Sequence, residues 1–137
     1  MNLCDDTLTL YNRRHDPAND RDVYHRSVIS GISWYSTVKS TVTERGLKSA
    51  NLYTIRIPLD ADFNGKNWID PKGYTEAEDV SNLFTLNEGD LIVKGNVSLE
   101  ITVPAQIHQQ FSEAFTVLSV TDNRRALNAK HWKVVGA

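Results

Sequence analysis

The chain has 137 residues, 15 of them basic and 17 acidic, with a formal net charge of −2 at neutral pH. Its halves would be too small to bury separate cores, so we expect a single β-rich domain over residues 1–137. The charge balance argues against a protein whose main task is to bind nucleic acid, because phosphate neutralisation needs a basic surplus. We expect no membrane span, because no apolar run approaches ~18 residues, and no secretion signal at the N-terminus. The single cysteine, Cys4, is typical of a reducing compartment.

Strands dominate the prediction for the first half of the chain. Residues 7–12 alternate apolar and polar side chains with the period of two of a half-buried strand. A charged, exposed loop over residues 16–20 follows, flanked by Arg13, Arg14, Arg21 and Asp22. A long strand region over residues 23–42 is interrupted by Gly31, which predicts a bulge or a hairpin bend.

A polar loop over residues 41–51 is predicted next. The strand at residues 53–58 then places Tyr53, Ile55 and Ile57 on one face, and Pro58 ends it because proline cannot donate to a ladder. Residues 60–73 are predicted to form a long irregular loop, and such loops are often functional or contact surfaces.

The second half mixes two short helices with further strands. Thr75 is predicted to cap a helix that ends near Asn82, and a second helix is predicted over residues 104–114 after a proline. Strands are predicted at residues 91–95, 115–121 and 131–135. Together these elements indicate a mainly β fold, a small β-barrel or β-sandwich with one or two short helices and long loops. The predicted core side chains are Leu8, Leu10, Val28, Trp34, Ile55, Ile57, Ile92, Val117, Leu118 and Trp132.

The string that begins at Asp60 and ends at Gly65 resembles the opening of a calcium-binding loop. Its twelfth position, where a bidentate glutamate would complete the ligand shell, is Pro71, so a turn built from Asp and Asn is the preferred interpretation. The four histidines and the single cysteine have no metal-ligand spacing. No metal and no cofactor is therefore expected, and no catalytic motif indicates an enzyme.

A protein interface is the functional interpretation of several other residues. The apolar side chains of the 60–73 loop must either contact a partner protein or pack beneath their own loop. Tryptophan is a favoured anchor of protein interfaces. Paired arginines suit contact with carboxylates of a partner, although charges solvated in a turn are the preferred interpretation. The candidate interface residues are Phe63, Trp68, Ile69, Arg124 and Arg125.

The order of several strings along the whole chain resembles a family of small proteins from tailed phages and prophages of gut Firmicutes. These strings span residues 5–12, 28–35, 46–51, 55–58, 88–95, 120–125 and 131–133. Such proteins look like head–tail connector components, either head-closure (stopper) proteins or tail-completion proteins.

This resemblance implies a structural virion protein, made in the bacterial cytoplasm, that forms a homo-oligomeric ring at the head–tail interface. Its implied partners are portal or adaptor proteins and tail proteins, and DNA would pass through the ring without specific binding. The 41–51 loop, the 60–73 loop and the tail after Thr121 would supply contacts. The alternative is a small prophage-encoded protein that binds and modulates a host factor as a monomer or dimer.

Overall fold

A computed structural model describes residues 6–43, 46–101, 105–125 and 130–137 of the protein. Cys4 lies outside these residues, as does Pro104 of the second predicted helix. The elements follow in the order β1 (Asp6–Asp16), β2 (Arg21–Thr43), β3 (Gly46–Pro58), β4 (Asn67–Trp68), α1 (Pro71–Glu76), β5 (Leu83–Phe84), β6 (Leu91–Lys94), α2 (Ala105–Gln110), β7 (Ala114–Asn123) and β8 (His131–Gly136).

Six antiparallel strands close into a barrel in the order β1-β2-β3-β8-β7-β6. The prediction of a mainly β fold is confirmed, and of the two predicted architectures the barrel is the one observed. The strands β4 and β5 form a separate, parallel pair. Closure pairs the strand edges that an open sheet would expose, wherever the neighbouring strands are long enough to meet.

Strand β3 shows why the alternating pattern places side chains as predicted. Tyr53, Ile55 and Ile57 are buried in the barrel, whereas Arg56 on the opposite face is exposed. The predicted irregularity at Gly31 is a β-bulge: the register steps from Thr7 opposite Ser30 to Asp6 opposite Ile32. Gly31 takes a φ of 84°, which glycine adopts without steric cost.

Two apolar clusters lie on either side of the barrel wall. The larger fills the barrel, where the rings of Tyr53 and Phe115 stack with centroids 5.0 Å apart. The second lies outside β1 and β6, beneath residues 97–101 and α2, so those two strands are buried on both faces. Its buried members are Tyr11, Tyr24, Leu91, Val93, Ile101, Ile107 and Ala114.

Most of the predicted core is buried, with one clear error. Leu118 is 55% exposed because Val117 pairs with Gly136 and Ser119 with Val135. Leu118 is this unpaired bulge residue. It follows Val117, which faces the core, so alternation along the strand already places the Leu118 side chain on the outer face. Val28 and Trp34 are half-buried. The buried predicted positions are Leu8, Leu10, Ile55, Ile57, Ile92, Val117 and Trp132.

The predicted polar loop over residues 41–51 is wrong, because β2 continues to Thr43 and β3 begins at Gly46. Seven residue pairs, from Thr37 opposite Leu52 to Thr43 opposite Gly46, form a two-stranded ribbon. Among the described residues this ribbon pairs with no third strand, since the pairing of β1 with β2 stops at Ile32 and β8 ends opposite Tyr53. We call residues 37–43 and 46–52 the arm.

The first predicted helix also begins in the wrong place. Asp70 caps it by accepting a hydrogen bond from the Gly73 N–H, and Pro71 supplies the φ that suits the first helical position. Thr75 therefore lies in the last turn, where its hydroxyl donates to the Pro71 carbonyl. The second helix is shorter than predicted, because residue 114 already belongs to β7. The flanks of the 16–20 turn, predicted as loop, lie in β1 and β2.

A buried polar network attaches the segment before β6 to the end of β1. The Asn12 amide donates to the Thr85 carbonyl (2.7 Å) and to the Asp90 carboxylate (2.8 Å), and its oxygen accepts from the Thr85 N–H. Asp90 also accepts from the backbone N–H groups of Arg13 and Asn87. Burial nevertheless raises the pKa of Asp90 to about 6, because the hydrogen bonds offset the desolvation of the charged form only in part.

Replacement of a barrel residue should destabilise the protein strongly. We expect Ile55→Ala to lower the free energy of unfolding by about 2–5 kcal/mol, because a fully buried side chain leaves a cavity. The matched control Leu118→Ala removes an exposed side chain and should cost about 0.5 kcal/mol or less. Urea denaturation measures both, and a loss below about 1 kcal/mol for Ile55→Ala would contradict the placement of this residue.

Asp90 should make stability fall as the pH rises from about 4 to about 7. The unfolded chain releases this proton near pH 4 whereas the folded chain holds it to about pH 6, so ionisation disfavours the folded state by roughly 3 kcal/mol above that pH. Asp90→Asn has no such titration. Denaturation of both proteins across this range should show the wild-type stability falling relative to the variant, and a constant difference would contradict the raised pKa.

Candidate functional site

Four aromatic rings gather at one end of the barrel. Trp68 of β4 stacks on Trp132 of β8 with ring centroids 5.6 Å apart, and Phe63 stacks on Phe84 at 5.0 Å. Phe63 also meets the edge of Trp132 at 6.1 Å. The pairing of β4 with β5 sets Trp68 opposite Phe84, so the 60–73 loop folds back onto the core. We call Phe63, Trp68, Phe84 and Trp132 the aromatic cluster.

Arg124 covers the outer side of the aromatic cluster. Its guanidinium carbon lies 4.2 Å from the ring centroid of Trp68 and 5.3 Å from that of Trp132, within the range of a cation–π contact. Two of its nitrogens bind the Asp122 carboxylate in a forked arrangement, at 2.7 and 2.9 Å. These hydrogen bonds lower the pKa of Asp122 and raise that of Arg124, so both groups stay charged over a wide pH range.

An open cleft of about 330 Å³ lies beside the aromatic cluster. One side is the C-terminal half of β7, and the other is the segment between β5 and β6. The lining combines aromatic and aliphatic surface with two carboxylates, a composition that suits an extended peptide segment better than a small apolar ligand. The lining residues are Trp68, Pro71, Leu86, Asn87, Glu88, Val120, Asp122 and Trp132.

The cleft follows a strand edge that lacks a neighbour. β6 pairs with β7 from Val93 opposite Ala114 to Leu91 opposite Thr116, and Val117 then bonds Gly89 and Asp90. From residue 119 to residue 123 the described backbone of β7 pairs with β8 alone. Within the described part of the chain no strand pairs with the N–H and C=O groups on the other side of these residues, which makes this edge a template for another strand. We call residues 119–123 the open edge.

A second cleft of about 680 Å³ adjoins the first and shares Asp122 with it. Leu59, Arg124 and Arg125 complete its lining. The two clefts together present carboxylate and guanidinium groups next to exposed apolar surface, since Leu59 is 40% exposed. Such mixed surfaces are typical of protein contacts, where arginine and aromatic side chains are enriched.

A third cleft, of about 570 Å³, lies between the β1–β2 hairpin and α1. Its polar groups already bind their own chain: Arg14 donates to the Ala77 carbonyl, and the imidazole of His15 lies 3.4 Å from both Asp20 and Asp22. Burial lowers the pKa of His25, and the nearby cations Arg14 and Lys66 lower it further, so this ring is neutral at pH 7. This cleft therefore offers fewer available groups to a ligand.

The string that resembles a calcium loop is a turn in the structure. The backbones of Asp62 and Ser30 exchange two hydrogen bonds of 2.8 and 2.9 Å, and the Asp62 side chain accepts from the Asn64 N–H. The Asn64 amide then donates to the Val28 carbonyl. No three His, Cys, Asp or Glu side chains in the described part of the chain come together as metal ligands.

His131, half-buried at the start of β8, lies 3.2 Å from the side-chain nitrogen of Asn123. The side chain of His108 lies outside what the structure describes.

The structure brings together three of the five predicted interface residues. Phe63, Trp68 and Arg124 meet around Trp132, although they come from the 60–73 loop and from the turn after β7. Arg125 is exposed in the adjoining cleft. Ile69 is half-buried beside α1, where a Cβ added to Gly73 would lie 2.8 Å from its side chain.

Sequence reasoning missed the groups that surround these residues. Asp122, Glu88 and Leu86 line the cleft, and nothing in their local pattern marks them as neighbours. The Asp-x-Arg spacing of residues 122–124 is the one local signal, because it permits the forked ion pair within a turn. The open edge could not be found from β7 itself, since it results from the shortness of β6.

The chain belongs to a protein family described as a family of unknown function (DUF6751), whose model matches residues 3–137. Comparison with curated proteins and with solved structures gives no match. The two helices in the described part of the chain have six residues each, too few to cross a bilayer.

Because Trp68 stacks on Trp132, removal of its ring should destabilise the fold. We expect Trp68→Ala to lower the free energy of unfolding by about 2 kcal/mol, less than for a fully buried tryptophan because this ring is half-buried. Leu59→Ala, in the adjoining cleft, is the control and should cost about 0.5 kcal/mol or less. Chemical denaturation measures both, and equal small losses would show that Trp68 contributes little to the fold.

Proposed function

We propose that this protein is a structural subunit of a head–tail connector ring in a tailed phage, in the head-closure or the tail-completion layer. The observation that carries the proposal is the arm. A ring subunit needs a stable body and an extension that reaches its neighbours. The closed barrel is suited to be the body, and the arm is suited to be the extension.

The arm supports an assembled state on energetic grounds. Its seven residue pairs span roughly 20 Å at about 3.3 Å per residue. An isolated two-stranded hairpin is at best marginally stable in water, and the described part of the arm receives no third strand from its own barrel. Contact with a second molecule would supply the missing stabilisation.

The connector context comes from the resemblance to tailed-phage proteins, and two further features agree with it. The aromatic cluster and the two clefts lie at the end of the barrel away from the arm, because residue 123 of β7 pairs with residue 131 of β8, which pairs with Pro58. A subunit with contact surfaces at both ends can join neighbours on two sides. The net charge of −2 suits a conduit through which DNA slides without binding.

Particle assembly tests the proposal. Deletion of the gene from an inducible prophage should leave heads and tails that fail to join, and the wild-type gene in trans should restore complete particles. Electron microscopy counts the products, and mass spectrometry should find the protein in purified virions. Normal particles without the gene would contradict the proposal and would favour the alternative, a modulator of a host factor.

An arm-shortened variant gives the matched structural test. Residues 38–51 are replaced by Asn-Gly, a two-residue turn that joins Thr37 to Leu52, which already pair. We expect the melting temperature to change little, because the barrel pairing begins beyond this point, whereas the variant should fail to restore particles. Restoration by the arm-shortened variant would contradict the role given to the arm.

A further inference from the structure

We infer that the arm of one copy adds as a strand to the open edge of a second copy, alongside the cleft beside β7. This inference rests on the proposed function and names the contact through which the ring would form. It assigns a donor surface and an acceptor surface to different parts of the same chain.

The open edge has the properties of an acceptor. Edges that must remain unpaired are usually protected by charged side chains, proline, a β-bulge or a covering segment. The open edge, Ser-Val-Thr-Asp-Asn, contains no lysine or proline, and its one charged side chain, Asp122, is bound by Arg124. The bulge at Leu118 lies before the edge, and residues 119–123 pair with β8 in regular register. The neighbouring segment leaves the 330 Å³ cleft alongside the edge instead of covering it.

The cleft gives the contact a specificity that backbone hydrogen bonds alone do not provide. Strand addition gains affinity from main-chain hydrogen bonds and specificity from pockets that take alternate side chains. Val120, Asp122 and Leu86 line such a pocket along the edge, and the rings of Trp68 and Trp132 complete it. Arg124 and Asp122 are already ordered by their forked ion pair, so the rim needs little rearrangement.

The arm has the properties of a donor strand, because it has unpaired edges and points away from its own barrel. The two strands of the arm pair with each other along their inner edges. Their outer edges pair with no other strand of the described chain. The arm leaves the barrel beyond Tyr53, whereas the open edge runs toward the opposite end, beside His131 and Pro58. An arm therefore points away from its own open edge, and the contact must form between molecules.

This arrangement is head-to-tail, which closes into a ring when the rotation between neighbours is a whole fraction of a turn. A contact in which two arms paired with each other would instead stop at a dimer. The two arrangements predict different results when defective chains are mixed.

The test uses two variants with complementary defects. The first is the arm-shortened variant, which keeps the open edge. The second carries Ser119→Lys and Thr121→Lys, two exposed positions on the open edge, and keeps the arm. A matched control carries Ser98→Lys and Ser112→Lys, at exposed positions outside this edge.

Sedimentation and native mass spectrometry should show that the wild-type chain and the control self-associate, while each defective variant remains monomeric with self-association weakened about tenfold or more. An equal mixture of the two defective variants should form a heterodimer, because the arm of one fills the edge of the other. The melting temperatures of all chains confirm that the barrels are folded.

Three results would overturn the inference: a wild-type chain that stays monomeric, self-association that survives the lysines, or a mixture that remains monomeric. Particle assembly separates these failures from failure of the proposed function. If unjoined heads and tails accumulate without the gene while the mixture stays monomeric, the connector role stands and the arm binds a different connector protein.

Discussion

The shortness of β6 is the constraint on which the rest of the structure depends. This strand has four residues, whereas its neighbours β1 and β7 have eleven and ten, so both run past the end of their shared partner. Backbone N–H and C=O groups beyond that point need other partners or water. On the β1 side, Asn12 binds Thr85 and Asp90 of the segment that precedes β6, and this buried polar network replaces the missing ladder. On the β7 side the described chain supplies no such replacement, and the cleft lies there.

The two ends of the barrel thus differ in what they offer to another molecule. At one end the arm extends with no third strand from the described residues, and at the other the open edge lies beside the aromatic cluster. The barrel between the two ends is stabilised by apolar clusters that pack against both faces of β1 and β6. A rigid body is what allows weakly supported extensions to be held in a fixed direction.

Local patterns predicted the elements whose surroundings are simple. β3 follows its alternation because one face meets the barrel core and the other meets water, and Gly31 marks a bulge because its positive φ is a local property. Predictions failed where two local signals competed. Thr75 has the chemistry of a helix cap, but Asp70 and Pro71 provide a stronger start five residues earlier. Leu118 has the apolar side chain typical of a strand core, but it is the bulge residue that follows the inward-facing Val117, so its side chain faces solvent.

The sequence by itself determined the β-rich class, most of the barrel core and the residue types that gather at the aromatic cluster, because these follow from periodicity and side-chain chemistry. Only the tertiary structure decided that Phe63, Trp68 and Arg124 meet at Trp132, since strand order and register bring together residues up to 69 positions apart (from 63 to 132). It also decided that the polar stretch after residue 40 is a paired arm and that β7 keeps an open edge. Both depend on where neighbouring strands end, and the length of one strand relative to its neighbours is recorded in no local pattern.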